Sequence, residues 1–310
     1  MRGKGIALRE AIGVDLGGTK LHFAVVAENG QIQYEKKIPT PVDSGGDAIL
    51  KALSTEIQDI VDKFGVMPVG VGTPGLVSFP DGVILGCTPN LPEWEKRSLK
   101  YTLEERLGLA VVVDNDANVA TWGEFRLGQR DPHRNMVLLT LGTGLGSGVV
   151  MHGEMMRGHH GLGIGFGHMI VEPAGRMCNC GQRGCLEAYV SGNGMLKGYR
   201  LRGGDLSVRG PEIFRRALEG DAVAYETYTE FIYYLAIGIA NILNTLAPEY
   251  LVLGGGISAQ GEKNLLFPVR QQIGAIMSMP FRFPDMVTLA HLGPSAGVIG
   301  AALLAMDTEQ

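Results

Sequence analysis

The sequence is short of several things, and each shortage excludes something. Charged residues make up only 19% of the 310, and the formal net charge is −5. There is no basic excess to grip a polyanion, so no nucleic-acid partner is expected. Cysteine is scarce: of four, Cys178, Cys180 and Cys185 crowd together and Cys87 stands alone. A secreted disulfide framework would be spread more evenly, so the pattern predicts a reducing cytoplasm and a metal site, with Cys87 a small buried apolar residue. No apolar run lies between Met1 and Glu10, so no signal peptide is expected. One uncharged run, Phe231 to Pro248, nears the ~18 residues of a membrane span. It contains Asn241, Asn244, Thr245 and Gly238 and ends at a proline, which predicts a buried helix instead. Gly-x4-Gly-Lys-Ser/Thr is missing, which removes the P-loop nucleotide site.

Glycine is abundant: 46 residues, about twice the usual ~7% share. It has no Gly-X-Y period and falls in clusters between strand-like and helix-like segments. Apolar Ala11 to Asp15 runs into Gly17-Gly18-Thr19, then Leu21 to Ala27, then Glu28-Asn29-Gly30, a strong hairpin signal. Ser44 to Phe64 carries Ile49, Leu53, Ile57, Ile60 and Phe64 on one helical face, with Ser44 and Asp47 as a start signal. Met136 to Leu141, the glycine-rich Gly142 to Gly148, and Gly148 to Met151 repeat the opening theme of strand, glycine turn, strand. Ala222 to Leu246 is helical, Tyr250 to Leu253 a strand, and a last helix begins at Pro294 to Gly297. The repeat predicts an α/β fold of two related halves with a cleft between them. A soft boundary falls near residue 120, with residues 1–120 as the smaller lobe and 121–294 as the larger.

Asp15-Leu16-Gly17-Gly18-Thr19-Lys20 ends one strand and opens the next. Its glycines let backbone N–H groups approach an anion, Thr19 adds a hydroxyl donor, and Asp15 would hold Mg²⁺ beside the phosphates. Gly142-Thr143-Gly144 repeats the design. Either alone reads as an ordinary tight turn; the pair, with Asp15, predicts a triphosphate site. Gly254-Gly255-Gly256 after a strand would admit a flat ligand such as adenine, although any strand-to-helix turn uses such residues. Gly70, Gly72 and Gly75 fit Gly-x-Gly-x-x-Gly, but Pro74 interrupts the motif and no helix opens behind it, so no dinucleotide is expected.

His168, Cys178, Cys180 and Cys185 form His-x9-Cys-x-Cys-x4-Cys. Three thiolates and an imidazole suit a closed tetrahedral Zn²⁺ site, structural because no position stays open. Asp114-Asn115-Asp116 ends an apolar strand and begins a helix. An acid at a strand's carboxyl end faces the usual ligand crevice of an α/β sheet; the plainer reading is that Asp114 or Asp116 caps the helix.

These motifs, in this order and together with Gly167-His168-Met169, Glu187 and Leu253 to Ser258, resemble the ROK family of sugar kinases and sugar-responsive repressors, most of all its bacterial ATP-dependent glucokinases. The resemblance covers nearly the whole chain. It implies the two-lobed actin/hexokinase-like ATPase fold, the C-terminal helix 295–310 completing the first lobe. It implies ATP-dependent phosphorylation of a hexose, glucose before N-acetylmannosamine or fructose, and a homodimer or higher oligomer without membrane or nucleic acid. Asp116 matches the family's catalytic base. Asn115, His168 and Glu187 match sugar contacts, and Gly75 would lie against the sugar. Gly17 to Lys20 and Gly142 to Gly144 match the phosphate sites, and Gly254 to Gly256 the adenosine site. His168 would then serve metal and sugar through different ring nitrogens. One departure stands out: Gly165 occupies the place of a glutamate with which the family usually binds sugar. A lost charge-assisted hydrogen bond is worth roughly 1.5–3 kcal/mol. Glu172 and Glu154 lie nearby in sequence. Other readings are polyphosphate as donor, a sugar sensor with lapsed activity, and a repressor, for which Asp15 stands too near the start of the chain.

Overall fold

A computed structural model describes residues 8–88, 90–128, 135–161, 163–277 and 284–308. Met1–Ala7, on which the signal-peptide expectation falls, and the last two residues of the expected terminal helix lie outside them. The chain divides into two compact units, one of Met1–Pro132, Met155–Gly163 and Pro294–Gln310, the other of His133–Glu154 and Ile164–Gly293.

In the first unit the chain runs β1 (Glu10–Leu16), β2 (Lys20–Ala27), β3 (Ile32–Pro39), α1 (Gly45–Phe64), β4 (Val69–Thr73), β5 (Leu76–Ser78), β6 (Val83–Gly86), α2 (Leu99–Leu107), β7 (Val111–Asn115) and α3 (Asp116–Leu127). The second unit holds β8 (Met136–Leu141), β9 (Leu145–Met151), α4 (Glu187–Val190), α5 (Gly192–Leu201), α6 (Gly210–Leu218), α7 (Ala222–Leu246), β11 (Tyr250–Gly254), α8 (Phe267–Ile276) and β12 (Val287–Leu289). The short β10 (Glu154–Met155) follows β9, and α9 (Ala296–Thr308) returns to the first unit.

The internal repeat is explicit in the sheets. One has strand order β3-β2-β1-β4-β7 and the other β10-β9-β8-β11-β12. In each, a hairpin pairs antiparallel and the later strands add in parallel. Gly17–Thr19 and Gly142–Gly144 occupy the same place, the first turn of each sheet. This is the duplicated actin/hexokinase-like architecture.

Apolar periodicity explains the layers. Ile49, Leu53, Ile57 and Ile60 of α1 bury against Ile12, Val14, Phe23 and Val71. The helix starts as expected at Ser44, but that side chain makes no capping bond, and Asp47 instead takes Arg97 Nη1 at 2.7 Å. The other face carries α9, which is apolar all round and buried. Two glycines permit its approach: a Cβ on Gly13 would stand 1.9 Å from the Val298 carbonyl oxygen, and one on Gly70 would stand 1.8 Å from that of Ala301. Thus part of the glycine excess serves helix-on-sheet packing rather than ligands. Because α3 packs on α9, the first unit runs past residue 120 to include all of α3. In the second unit α7 buries Phe231, Leu235, Ile239 and Ile242 in the core. No helix among the described residues is long and apolar enough to cross a membrane. Cys87 is exposed, not buried, in a turn after β6 with φ +62°.

Candidate active site

In the first unit, β7 and α3 meet at Asn115–Asp116. Neither aspartate is the cap of α3. Asn115 is, its Oδ1 accepting from Ala117 N–H at 2.9 Å while its Nδ2 donates to the Gly75 carbonyl at 2.9 Å. Gly75, at φ +103°, is thereby tied to the strand end. Asp116 is half-buried at the first helical position, and its Oδ1 accepts from Ala117 N–H at 2.8 Å. Burial, with the Asp15 carboxylate nearby, pushes the Asp116 carboxyl up to about 7, against the hydrogen bonds that favour its anion. Burial raises Asp15 too, with His22 and Lys20 pulling the other way. Asp15, the last residue but one of β1, lies against the first turn of α9, where a Cβ on Gly297 would stand 2.8 Å from its carboxylate. The turn beside it is fixed by Gly17 N–H to the Lys20 carbonyl at 2.9 Å and by Thr40 Oγ1 to the Gly17 carbonyl at 2.6 Å. Lys20 and Thr19 are exposed.

In the second unit, Gly142–Gly144 is braced by α4 and α5. Gly192 N–H donates to the Gly142 carbonyl at 2.8 Å, and Glu187 Oε2 accepts from Leu145 N–H at 2.8 Å. A Cβ on Gly144 would meet that carboxylate at 2.8 Å. Glu187 thus abuts the Gly142–Gly144 turn. Gly255, at φ +80°, lies under the same turn, where a Cβ would be 2.5 Å from the Leu141 carbonyl oxygen, and Gly256 is open.

His168, Cys178, Cys180 and Cys185 converge, with one donor atom of each within 4.8 Å of all the others. Cys180 Sγ to Cys185 Sγ is 3.6 Å and His168 Nδ1 to Cys178 Sγ is 3.8 Å. Zn–S bonds of about 2.3 Å in a tetrahedron place sulfurs about 3.8 Å apart, so the donors fit such an ion. Burial pushes the Cys178 thiol up to about 12 and raises that of Cys185. At Cys180 burial is outweighed by hydrogen bonds with Gln182 and the two neighbouring thiols, which lower it, so the three sulfurs are unequal before any cation binds. Nδ1 is the nitrogen turned to the sulfurs, which leaves Nε2 of the exposed His168 for another partner.

Gly165 is open. Its φ is −85°, and a Cβ there would make ordinary contact with His168 Cδ2 at 3.6 Å. Glu172 does not fill the place: it accepts from Tyr234 Oη at 3.3 Å on α7. Glu154 is exposed on β10. The motif Gly70, Gly72, Gly75 opens onto strand β5 rather than a helix, which excludes a dinucleotide turn. Sequence reasoning missed Arg157, whose Nε lies 2.7 Å from Asp114 Oδ2. No periodicity signals a pair 43 residues apart.

The ROK family model matches residues 11–308. A glucokinase of Streptomyces coelicolor is 34% identical, over 96% of this chain and 98% of that protein. An N-acetylmannosamine kinase of Salmonella heidelberg is 32% identical, over 95% and 97%. The crystal structure of a ROK family glucokinase from Streptomyces griseus in complex with glucose and AMPPNP superposes with a TM-score of 0.83, at 34% identity over 96% of this chain and 99% of that one. With one glycine turn, one braced copy of it and a Cys₃His cluster arranged as the motifs demand, this chain belongs to the ROK family.

Proposed function

We propose that the protein transfers the γ-phosphoryl group of ATP to a hexose, glucose to glucose 6-phosphate, with Asp116 as general base. The observation that carries this is the Asp116 carboxyl itself, held at the head of α3 with its affinity for a proton raised to about 7. A base of that strength is half-ionised at neutral pH and takes a proton effectively as the nucleophile attacks. The sugar O6 attacks the γ-phosphorus, its proton passes to Asp116 Oδ2, and the bond from the γ-phosphorus to the bridging oxygen breaks, the electron pair leaving with ADP. Asn115, pinned by Ala117 and Gly75, would orient the sugar with a spare hydrogen on Nδ2 and a spare lone pair on Oδ1. His168 Nε2 and Glu187 would also contact the sugar. Gly17–Lys20 and Gly142–Gly144 would hold phosphates, and Gly254–Gly256 the adenosine. Mg²⁺ held by Asp15 would supply neutralisation of the phosphate charge. Zn²⁺ in the Cys₃His cluster would fix His168 Nδ1 and so the direction of Nε2.

A second reading, a kinase for N-acetylmannosamine or another hexose, is favoured by one observation. Gly165 leaves space beside His168 that a bulkier sugar substituent would fill. Coupled ADP release with glucose, mannose, fructose, N-acetylglucosamine and N-acetylmannosamine separates the two. Glucose giving the highest kcat/KM supports the first, and an N-acetylhexosamine the second.

A further inference from the structure

Asp114 has no role in the reading above, yet it is the most fully engaged acid of the β7–α3 junction. Its side chain is 1% exposed. Oδ1 accepts from Asn115 N–H at 2.7 Å and from Asn118 Nδ2 at 2.8 Å, and Oδ2 receives Arg157 Nε at 2.7 Å. Arg157 is itself gripped. Its guanidinium lies 3.6 Å from the centroid of the Phe79 ring, Nη1 donates to the Met155 carbonyl at 3.5 Å, and its side chain is 16% exposed. It belongs to Met155–Gly163, which the chain inserts into the first unit between two stretches of the second. Gly161 seats that segment, since a Cβ there would stand 2.5 Å from the Val77 carbonyl oxygen.

The geometry follows from charge. A buried carboxylate needs a cation or it becomes a strongly unfavourable neighbour, and removing one partner of such a pair leaves the other uncompensated. Asp114 immediately precedes Asn115 and Asp116, and its Oδ1 holds both the peptide N–H of Asn115 and the side chain of Asn118 in the first turn of α3. Without a cation the buried Asp114 carboxylate would be uncompensated and would turn outward, which would release that turn. We infer that Arg157 is a positioning residue for phosphoryl transfer: it neutralises Asp114 so that Asp114 locks the Asn115–Asp116 junction and aims the Asp116 carboxylate at the sugar hydroxyl. The inference rests on Asp116 being the base.

The test is steady-state ADP release by the full-length protein with the best sugar, well below the unfolding temperature. It compares Arg157→Gln, Arg157→Lys, Asp114→Asn, the double variant Arg157→Gln/Asp114→Asn, and Asp116→Asn. Misaiming a reacting group by about 1 Å costs on the order of 100-fold. Arg157→Gln should therefore lose about that much in kcat, with the KM for ATP unchanged within about twofold. Arg157→Lys should regain part of the loss. The double variant, with no buried charge left unpaired, should recover at least about tenfold over Arg157→Gln. If Arg157→Gln fails to fold, the double variant and Arg157→Lys carry the comparison: an active double variant supports the inference, and one as inactive as Asp116→Asn overturns it. Folded Arg157→Gln turning over like the parent overturns it as well, as does an equal deficit in single and double variants. Should Asp116→Asn keep full turnover, the base assignment fails, whatever Arg157 does.

Discussion

Asp116 concentrates the chemistry in one carboxyl, and its surroundings predict two opposite effects of one change. Asp116→Asn should cut kcat by about 10²–10⁴-fold, the usual worth of a general base, with sugar binding retained. The same change should stabilise the fold at alkaline pH. The native carboxyl is raised from 3.8 to about 7, so the unfolded chain holds its proton more weakly than the native state. That contribution to stability is fully present below 3.8 and lost as pH rises through about 7. Asparagine mimics the protonated form, so the melting temperature of Asp116→Asn should exceed the parent's at pH above 7 and converge with it below pH 3.8. A melting-temperature difference that does not vary with pH would contradict this. Gly165 predicts a gain instead. Its backbone accepts any L residue and its Cβ position is open, so Gly165→Glu should fold. If the site binds glucose, the added carboxylate should lower the KM for glucose by about 10–150-fold, the equivalent of one charge-assisted hydrogen bond. An unchanged KM would show that the place is not at the sugar.

Whole elements depend on two devices, a metal knot and close backbone packing. The cluster of His168, Cys178, Cys180 and Cys185 sits just ahead of α4, whose Glu187 braces the Gly142–Gly144 turn. Metal analysis should find about one Zn per chain, and Cys178→Ser or Cys185→Ser should lose it and lower the melting temperature. A disulfide without metal would contradict this. On α9, Gly70→Ala would drive a methyl into the Ala301 carbonyl. Denaturant titration should show a loss of about 1–3 kcal/mol or more, the cost of overpacking. Most elements are legible in the sequence because their signals are local. The apolar stripe of α1, the Asn29-Gly30 turn, and α7 over Ala222–Leu246 all appear where periodicity puts them. What escapes is what depends on distant partners. Gly13 and Gly70 carry no local mark of the close α9 packing they permit. Cys87 looks like core until its left-handed turn exposes it.

For the whole molecule, the duplicated sheet explains why one glycine turn recurs in each unit at the same strand junction. The repeat was visible as strand, turn, strand, but the order of the later strands was not, because parallel pairing joins segments far apart in sequence. At the site, residue types and spacing marked Asp15, the Asp114–Asp116 junction and the Cys₃His cluster, and only the family resemblance singled out Asp116. They did not reveal that Asn115 caps α3 or that Arg157 reaches back to Asp114. The most direct test is glucose-dependent ADP release by the unaltered protein and by Asp116→Asn, followed across neutral pH. The parent's kcat should rise through about pH 7 as the carboxyl loses its proton, and Asp116→Asn should be slower by orders of magnitude with no such rise. A parent that releases no ADP with any hexose, or an Asp116→Asn variant that keeps the parent's rate and pH profile, would contradict the account.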